Sequence, residues 1–434
     1  MLCGGIPFDD SMEPGSPNCK GRCPDFPRDP LVRWRYRYDM PRRLSRIPVV
    51  LWRQSCHGAV LETAESWVSG PPPWNGYLEN TLNPACAQNP ACTVDTRDAR
   101  AWTQILARYR EPSRGRSLLE IIITAGAFVL LWASMWAALY LGYWLCLLLA
   151  LPTAGFLVRL FMIQHDCGHG AFFRHRLAND WVGRVIGVLT FTPYDLWRRT
   201  HGIHHATSGH LGRRGIGDID TLTVREYLAL SRWRRLGYRL YRHPVVMFGI
   251  GPAYLFILQQ RLPVRMMRGG WLPWLSTMGT NATIAALVAA MIWLVGIGPF
   301  LLVHLPIMLL AASIGVWLFY VQHQFEDTFW ASERGWNLQE AALHGSSHYH
   351  LPGVLRWFTA NIGVHHVHHL CSRIPFYRLP QVLRDCPELG LVGRLTLIES
   401  VRCIRLVLWD ETQQRLVSFR ELRRRRSAVA TCSA

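Results

Sequence analysis

The 434 residues, 49.7 kDa in mass, leave room for two or three soluble domains or for one polytopic membrane domain with extramembrane mass. Half the residues are apolar and only 18% are charged, below the ~25% usual for soluble globular proteins, and mean hydropathy is +0.08. That balance excludes a disordered polymer and a nucleic-acid module built mostly of charge. The net charge is +18, with Lys20 the single lysine among 47 basic residues. A basic excess on so apolar a chain points to a membrane surface or an acidic protein partner, not to nucleic acid.

Residues 1–94 are rich in Pro, Cys, Arg, Trp and Gly, as in Pro71-Pro72-Pro73-Trp74, and carry no sustained helical or strand period. They are expected to be a doubtful or disordered extension, with a mis-set start codon as the simplest source. Met1 to Asp10 has neither the basic nor the apolar region of a secretory signal, and no pair of CxxC units forms a zinc site. The twelve cysteines are therefore expected as reduced thiols on a protein facing the cytosol. Amphipathic sequence begins near Asp95, so the main domain is expected over 95–400, followed by an Arg-rich cytosolic tail over 401–434.

Four apolar stretches are long enough to cross a ~30 Å hydrocarbon core: Leu118 to Tyr140, Tyr143 to Ile163, Leu275 to Val295 and Pro299 to Val321. Leu141-Gly142 and Gly296-Ile-Gly298 separate the members of each pair, which predicts two tight helical hairpins. Tyr140, Tyr143, Trp144, Trp271 and Trp274 lie where interfacial aromatics belong. Arg159, one turn before the end of the second stretch, is expected to snorkel to the interface. Neither hairpin tip is charged, whereas residues 164–274 hold sixteen arginines against six acidic residues. The positive-inside rule then puts both termini and the central segment in the cytosol, with the chain in the cell's inner membrane. Two shorter apolar pieces, Val182 to Pro193 and Val245 to Leu258, are expected as interfacial or re-entrant helices.

Histidine spacing carries the chemistry. His165 and His169 form an HxxxH at the end of the second stretch. His201, His204 and His205 form an HxxHH in the central segment, and His365, His368 and His369 form another after the fourth stretch. Residues i, i+3 and i+4 share a helix face, so each set aims its imidazoles at one point. Neutral imidazole ligates iron, zinc and copper, and eight such groups are too many for one ion, so two metals are expected. With four spans all three sets emerge on one side. His57, His175, His210, His243 and His304 lack that support and are expected to play ordinary roles.

The zinc-protease HExxH and the ExxH of soluble di-iron bundles are both absent. All-nitrogen ligation of two metals beside a bilayer points to iron and O2 activation, with an apolar chain as the substrate. Asp166, Asp218 and Asp220 are candidates to orient ligand imidazoles, with a solvated surface position the equal alternative for each. A histidine-rich metal transporter or sensor is the rival from another class. It would want ionisable ligands within the spans, which are almost free of them.

These motifs carry a resemblance. His165-Asp-Cys-Gly-His-Gly170, His201-Gly-Ile-His-His-Ala-Thr-Ser-Gly209, Gly215-Ile-Gly-Asp-Ile219, Tyr320-Val-Gln-His-Gln-Phe-Glu-Asp327, Asn361-Ile-Gly363 and Arg373-Ile-Pro375 resemble the membrane fatty acid desaturases over residues 95–400. Bacterial omega-6 (Δ12) acyl-lipid desaturase-like proteins are the nearest type. The first box is HxxxH, not the HxxxxH of stearoyl-CoA enzymes, and the third begins with His365, not the Gln of front-end desaturases. Alkane hydroxylases carry a different third box; a carotenoid ketolase or a fatty acyl hydroxylase remains the alternative within the superfamily. The resemblance implies an all-α integral membrane fold with four transmembrane helices in two hairpins and a cytosolic helical cap holding a histidine-ligated di-iron site. It also implies O2 as co-substrate and a membrane lipid or fatty acyl substrate.

Two further expectations follow. His243-Pro244 lacks the two glycines of a haem-binding donor domain, so electrons are expected from a separate ferredoxin-like protein, for which Arg232, Arg234 and Arg235 form a suitable basic face. His323 is expected as a ninth ligand. It lies at the mouth of the fourth stretch, level with His165, whereas His344, His348 and His350 have no span to aim them, and the family tends to place an additional histidine at the end of this helix.

Overall fold

The structure, a computed structural model, describes residues 99–264 and 266–432. The extension expected over 1–94 lies outside these residues. A short helix, α1 (Ala99–Leu106), leads to α2 (Arg114–Leu141), which starts where the Ser113 side chain accepts the Arg116 N–H. The other long helices are α3 (Tyr143–Gly168), α9 (Trp271–Val295) and α10 (Ile297–His323). Each has 25–28 residues and is long and apolar enough to cross a membrane.

The hairpin links are shorter than expected. Gly142 alone joins α2 to α3, and Gly296 alone joins α9 to α10. Both adopt positive φ (150° and 83°), which lets one glycine end a helix and start the next. Their N–H groups close the preceding helices on the carbonyls of Ala138 and Ile292.

The central span is α3, whose second half is almost wholly buried between α2 and α10. Arg159 does not snorkel: it is 1% exposed. Its guanidinium meets Glu120 of α2 at 2.5 Å and Thr124 at 3.2 Å, donates to the Trp357 carbonyl, and lies over the Trp357 ring. The carboxylate and the returning α12 (Gly353–Phe358) satisfy the charge locally, so it has no need to reach water.

Beyond the histidine-bearing ends of the spans, the chain adds α4 (Arg176–Leu189), α5 (Tyr194–Thr207), α6 (Val224–Ala229) and α7 (Arg232–Tyr241). A wound segment follows, with π-helical Val246–Ile250 and Tyr254–Leu258 on either side of α8 (Gly251–Ala253). After α10 come α11 (Leu338–His344), α12, α13 (His365–Leu370), α14 (Leu379–Asp385), α15 (Leu397–Cys403) and α16 (Phe419–Cys432).

Two small sheets supplement the all-α expectation. In one, β1 (Leu222–Thr223) runs parallel to β4 (Leu408–Asp410), which pairs antiparallel with β5 (Arg415–Val417). In the other, β2 (His348–His350) lies parallel to β3 (Arg394–Thr396). Strands of two or three residues carry too little alternation to register as a period in sequence. Folded elements thus continue past residue 400, where Leu408 and Val417 pack with Tyr227 and Tyr238.

Candidate metal centre

Four helices deliver the histidines. His165 lies in the last turn of α3 and His169 caps its end. His201, His204 and His205 occupy the second half of α5, His323 is the last residue of α10, and His365, His368 and His369 share one face of α13. Their ring nitrogens fall into two groups, each within 4.8 Å of one another: His165, His169, His201, His205 and His368, and His204, His323, His365 and His369. All nine residues expected from the sequence are brought together, in a set of five beside a set of four.

Close packing holds this arrangement. Trp197, one turn before His201 on α5, stacks on its ring at 4.5 Å and also fills the space beside Gly168, where a Cβ would come within 2.7 Å of the indole. Gly217 has φ +74°, and a Cβ there would meet His204 and the Thr200 carbonyl at 3.1 Å, so a larger residue would be strained and would press the loop carrying Asp218 away from α5.

The hydrogen bonds define which nitrogen each ring offers. His204 Nδ1 lies 2.6 Å from Asp218 Oδ1, and His323 Nδ1 lies 3.2 Å from the Gly345 carbonyl. Carboxylate and carbonyl oxygens only accept, so both rings carry their proton on Nδ1 and present a lone pair at Nε2. Those two Nε2 atoms face each other at 3.1 Å, and His323 Nε2 lies 3.0 Å from His365 Nε2. Two facing lone pairs with no proton between them repel unless a cation sits among them. Spacings of ~3 Å suit nitrogens sharing one ion at ~2.1 Å. In the set of five, His205 Nε2 lies 3.1 Å from His201 Nε2 and 3.2 Å from His368 Nε2, and the buried His169 Nε2 has no hydrogen-bond partner.

Burial, and then the neighbouring imidazoles, holds His169, His201, His205, His365, His368 and His369 well below the ordinary histidine range. The rings are therefore neutral and ligand-competent at physiological pH. The donor set fits two transition-metal ions.

Of the three aspartates, Asp218 orients His204. Asp166 accepts the Phe376 N–H at 2.7 Å and lies 3.4 Å from His165 Nδ1, tying α3 to the segment after α13. Asp220 is exposed, and its own N–H donates to Tyr241 Oη. His366, the fourth histidine of the third box, turns the other way and donates from Nε2 to the Leu389 carbonyl. His348 bonds the Gly390 carbonyl through Nδ1, His344 lies by Glu340, and His350 is exposed. Inside the fourth span, His304 accepts the Trp132 indole N–H and bonds the Phe300 carbonyl. The Gly345 carbonyl has no sequence signal. Trp197 has one, since it precedes His201 by four residues on the same helix.

A cavity of about 630 Å³ opens onto the centre, within the size range of ligand sites. His165, His201 and His365 form part of its wall, and Leu157, Phe161, Met308, Ala312 and Phe319 make much of the rest apolar.

Four helices long and apolar enough to cross a membrane, two histidine groups at their ends that could each hold a metal ion, and an apolar cavity against them are the features of a membrane metalloenzyme. The profile of the fatty acid desaturase family matches residues 141–394. The chain is 43% identical over 321 residues to the "Fatty acid desaturase" of Bacillus subtilis (strain 168), covering 74% of this chain and 91% of that one. It is 28% identical over 290 residues to an "sn-1 acyl-lipid omega-3 desaturase (ferredoxin)" of Synechocystis sp., covering 62% and 74%, and 26% identical over 284 residues to an "sn-1 oleoyl-lipid 12-desaturase" of the same organism, covering 62% and 75%. The protein belongs to the fatty acid desaturase family, and it is an enzyme of that kind.

Proposed function

We propose that the protein introduces a double bond into a lipid-linked acyl chain in an O2-dependent reaction, with two iron ions held by His165, His169, His201, His205 and His368 on one side and His204, His323, His365 and His369 on the other. The observation that carries this reading is the cavity wall, where apolar side chains and three of these histidines line one space. Bound iron supplies the O2 chemistry needed to remove hydrogen from an unactivated methylene.

The remaining steps fall to the chain's own residues. Leu157, Phe161, Met308 and Phe319 hold the acyl chain and keep water from it. Asp218 and the Gly345 carbonyl keep protons on the Nδ1 atoms of His204 and His323, which leaves Nε2 free to ligate. An external ferredoxin-like protein supplies two electrons, a reading supported by the printed name of one Synechocystis relative. The double bond is of the omega-6 (Δ12) type, on the resemblance of the boxes, and product analysis assigns its position.

The centre faces the cytosol from the cell membrane, as the uncharged Gly142 and Gly296 tips and the arginine-rich remainder support. Residues 95–400 form the catalytic domain, with 401–434 as its basic continuation. Turnover of oleoyl-lipid, oleoyl-CoA and oleoyl-carrier protein by the purified enzyme with reduced ferredoxin tests the substrate class. The lipid is expected to react, and conversion of the thioesters alone would overturn it.

A further inference from the structure

We propose that α7 is a bilayer-surface helix whose arginines contact the anionic headgroups of phospholipids. Trp233, Leu236 and Leu240 recur at i, i+3 and i+7 and therefore share a face, and they are 70%, 45% and 55% exposed. The opposite side of the helix is committed elsewhere. Tyr238 is buried beside Tyr227, Val407, Leu408 and Val417, and its hydroxyl donates to the Val407 carbonyl at 2.6 Å. The helix is thus fixed by its inner side while its apolar stripe faces outward.

The arginines divide in the same way. Arg235 donates to the carbonyls of Leu230 and Leu228, and the exposed Arg239 donates from Nε to Tyr227 Oη, so both are engaged within the protein. Arg232 and Arg234 are exposed and flank the stripe on its two sides; the Arg232 guanidinium lies 5.6 Å from the Trp233 ring. An apolar stripe bordered by arginines, with a tryptophan on it, suits the boundary between acyl chains and headgroups.

Along the chain the stripe leads toward the exposed apolar surface of α9. After Pro244, the apolar residues Val245, Ile257 and Leu258 are exposed outside the cavity, and so are Trp271 and Leu272, which begin the span α9. An acidic soluble carrier would match the arginines, but it would have no use for a stripe that leads toward a membrane span. The same connecting segment lines the cavity through Val246, Met247, Ile250, Tyr254, Leu255 and Leu262. A phospholipid held by α7 therefore has its chains beside the cavity wall. That consequence rests on the desaturase reading, whereas the headgroup contact does not.

The test places a photo-cross-linking amino acid at Leu236 of the full chain. The protein is reconstituted in nanodiscs of phosphatidylcholine with or without phosphatidylglycerol, with the same probe at Leu272 marking correct insertion. Mass spectrometry should find phospholipid adducts at both positions. At Leu236 phosphatidylglycerol should be enriched several-fold over its share of the bilayer, and the double variant Arg232→Glu, Arg234→Glu should lose the enrichment while keeping lipid adducts. Absence of lipid adducts at Leu236 in a protein that labels lipid at Leu272 would overturn the proposal. So would adducts indifferent to headgroup charge, or transfer of the label to an added acidic ferredoxin.

Discussion

His204 Nδ1 lies 2.6 Å from Asp218 Oδ1, and the same carboxylate accepts the Gly215 N–H at 3.2 Å. The loop that carries Asp218 is thus fastened at one end to its own backbone and at the other to a ring of the four-histidine group. Asp218→Asn keeps the shape but replaces an acceptor-only group with an amide that can present an N–H to Nδ1. The ring then has reason to shift its proton to Nε2, away from ligation. Iron content or turnover should fall about tenfold to a hundredfold, while the midpoint of thermal unfolding in detergent changes little. Normal iron content in the variant would show that Asp218 is not the orienting group.

His323→Ala should lose iron and nearly all activity, as His204→Ala should, because His323 Nε2 lies 3.1 Å from His204 Nε2 and 3.0 Å from His365 Nε2. His350→Ala, on the exposed end of β2, should stay near wild type. Metal analysis of the three purified variants checks the ranking. Two irons per chain in His323→Ala would remove it from the ligand set.

The grouping of the nine histidines was legible because helical periodicity makes HxxxH and HxxHH one-sided and because similar span lengths bring the ends of α3 and α10 to one level, with the family resemblance also pointing to His323. The same periodicity separates His366 from His365, His368 and His369, although it could not say that Leu389 would receive it. Arg159 was misread for a physical reason. Its position near a helix end suggested escape to the interface, but its partner Glu120 is 39 residues away on α2, and the Trp357 carbonyl comes from a segment that periodicity does not bring close. Long-range polar partners of this kind, like the Gly345 carbonyl, have no local signature. The small sheets escaped notice because their strands are two or three residues long.

Glu120→Ala should destabilise the protein strongly, since it strands the buried Arg159 guanidinium without its carboxylate. Breaking one side of a buried pair costs about 3–5 kcal/mol, and Arg159→Met with Glu120→Leu should recover much of the loss. Thermal unfolding in a single detergent compares the variants. Equal midpoints for Glu120→Ala and the wild type would mean that the pair contributes nothing.

A chain beginning at Asp95 should retain full desaturation in cells, on the proposal that residues 1–94 are dispensable. Loss of most activity at equal membrane abundance would instead give those residues a function.

Nine histidines that serve a desaturase must leave their mark on the fatty acids of a host cell. Gas chromatography of total fatty acids from a bacterial host, expressing either the wild-type chain or His204→Ala at matched membrane abundance, tests this most directly. A new unsaturated acyl chain should appear in the membrane lipids of the wild-type strain and none with His204→Ala. An unchanged fatty acid profile in the wild-type strain, with only its metal content altered, would contradict it.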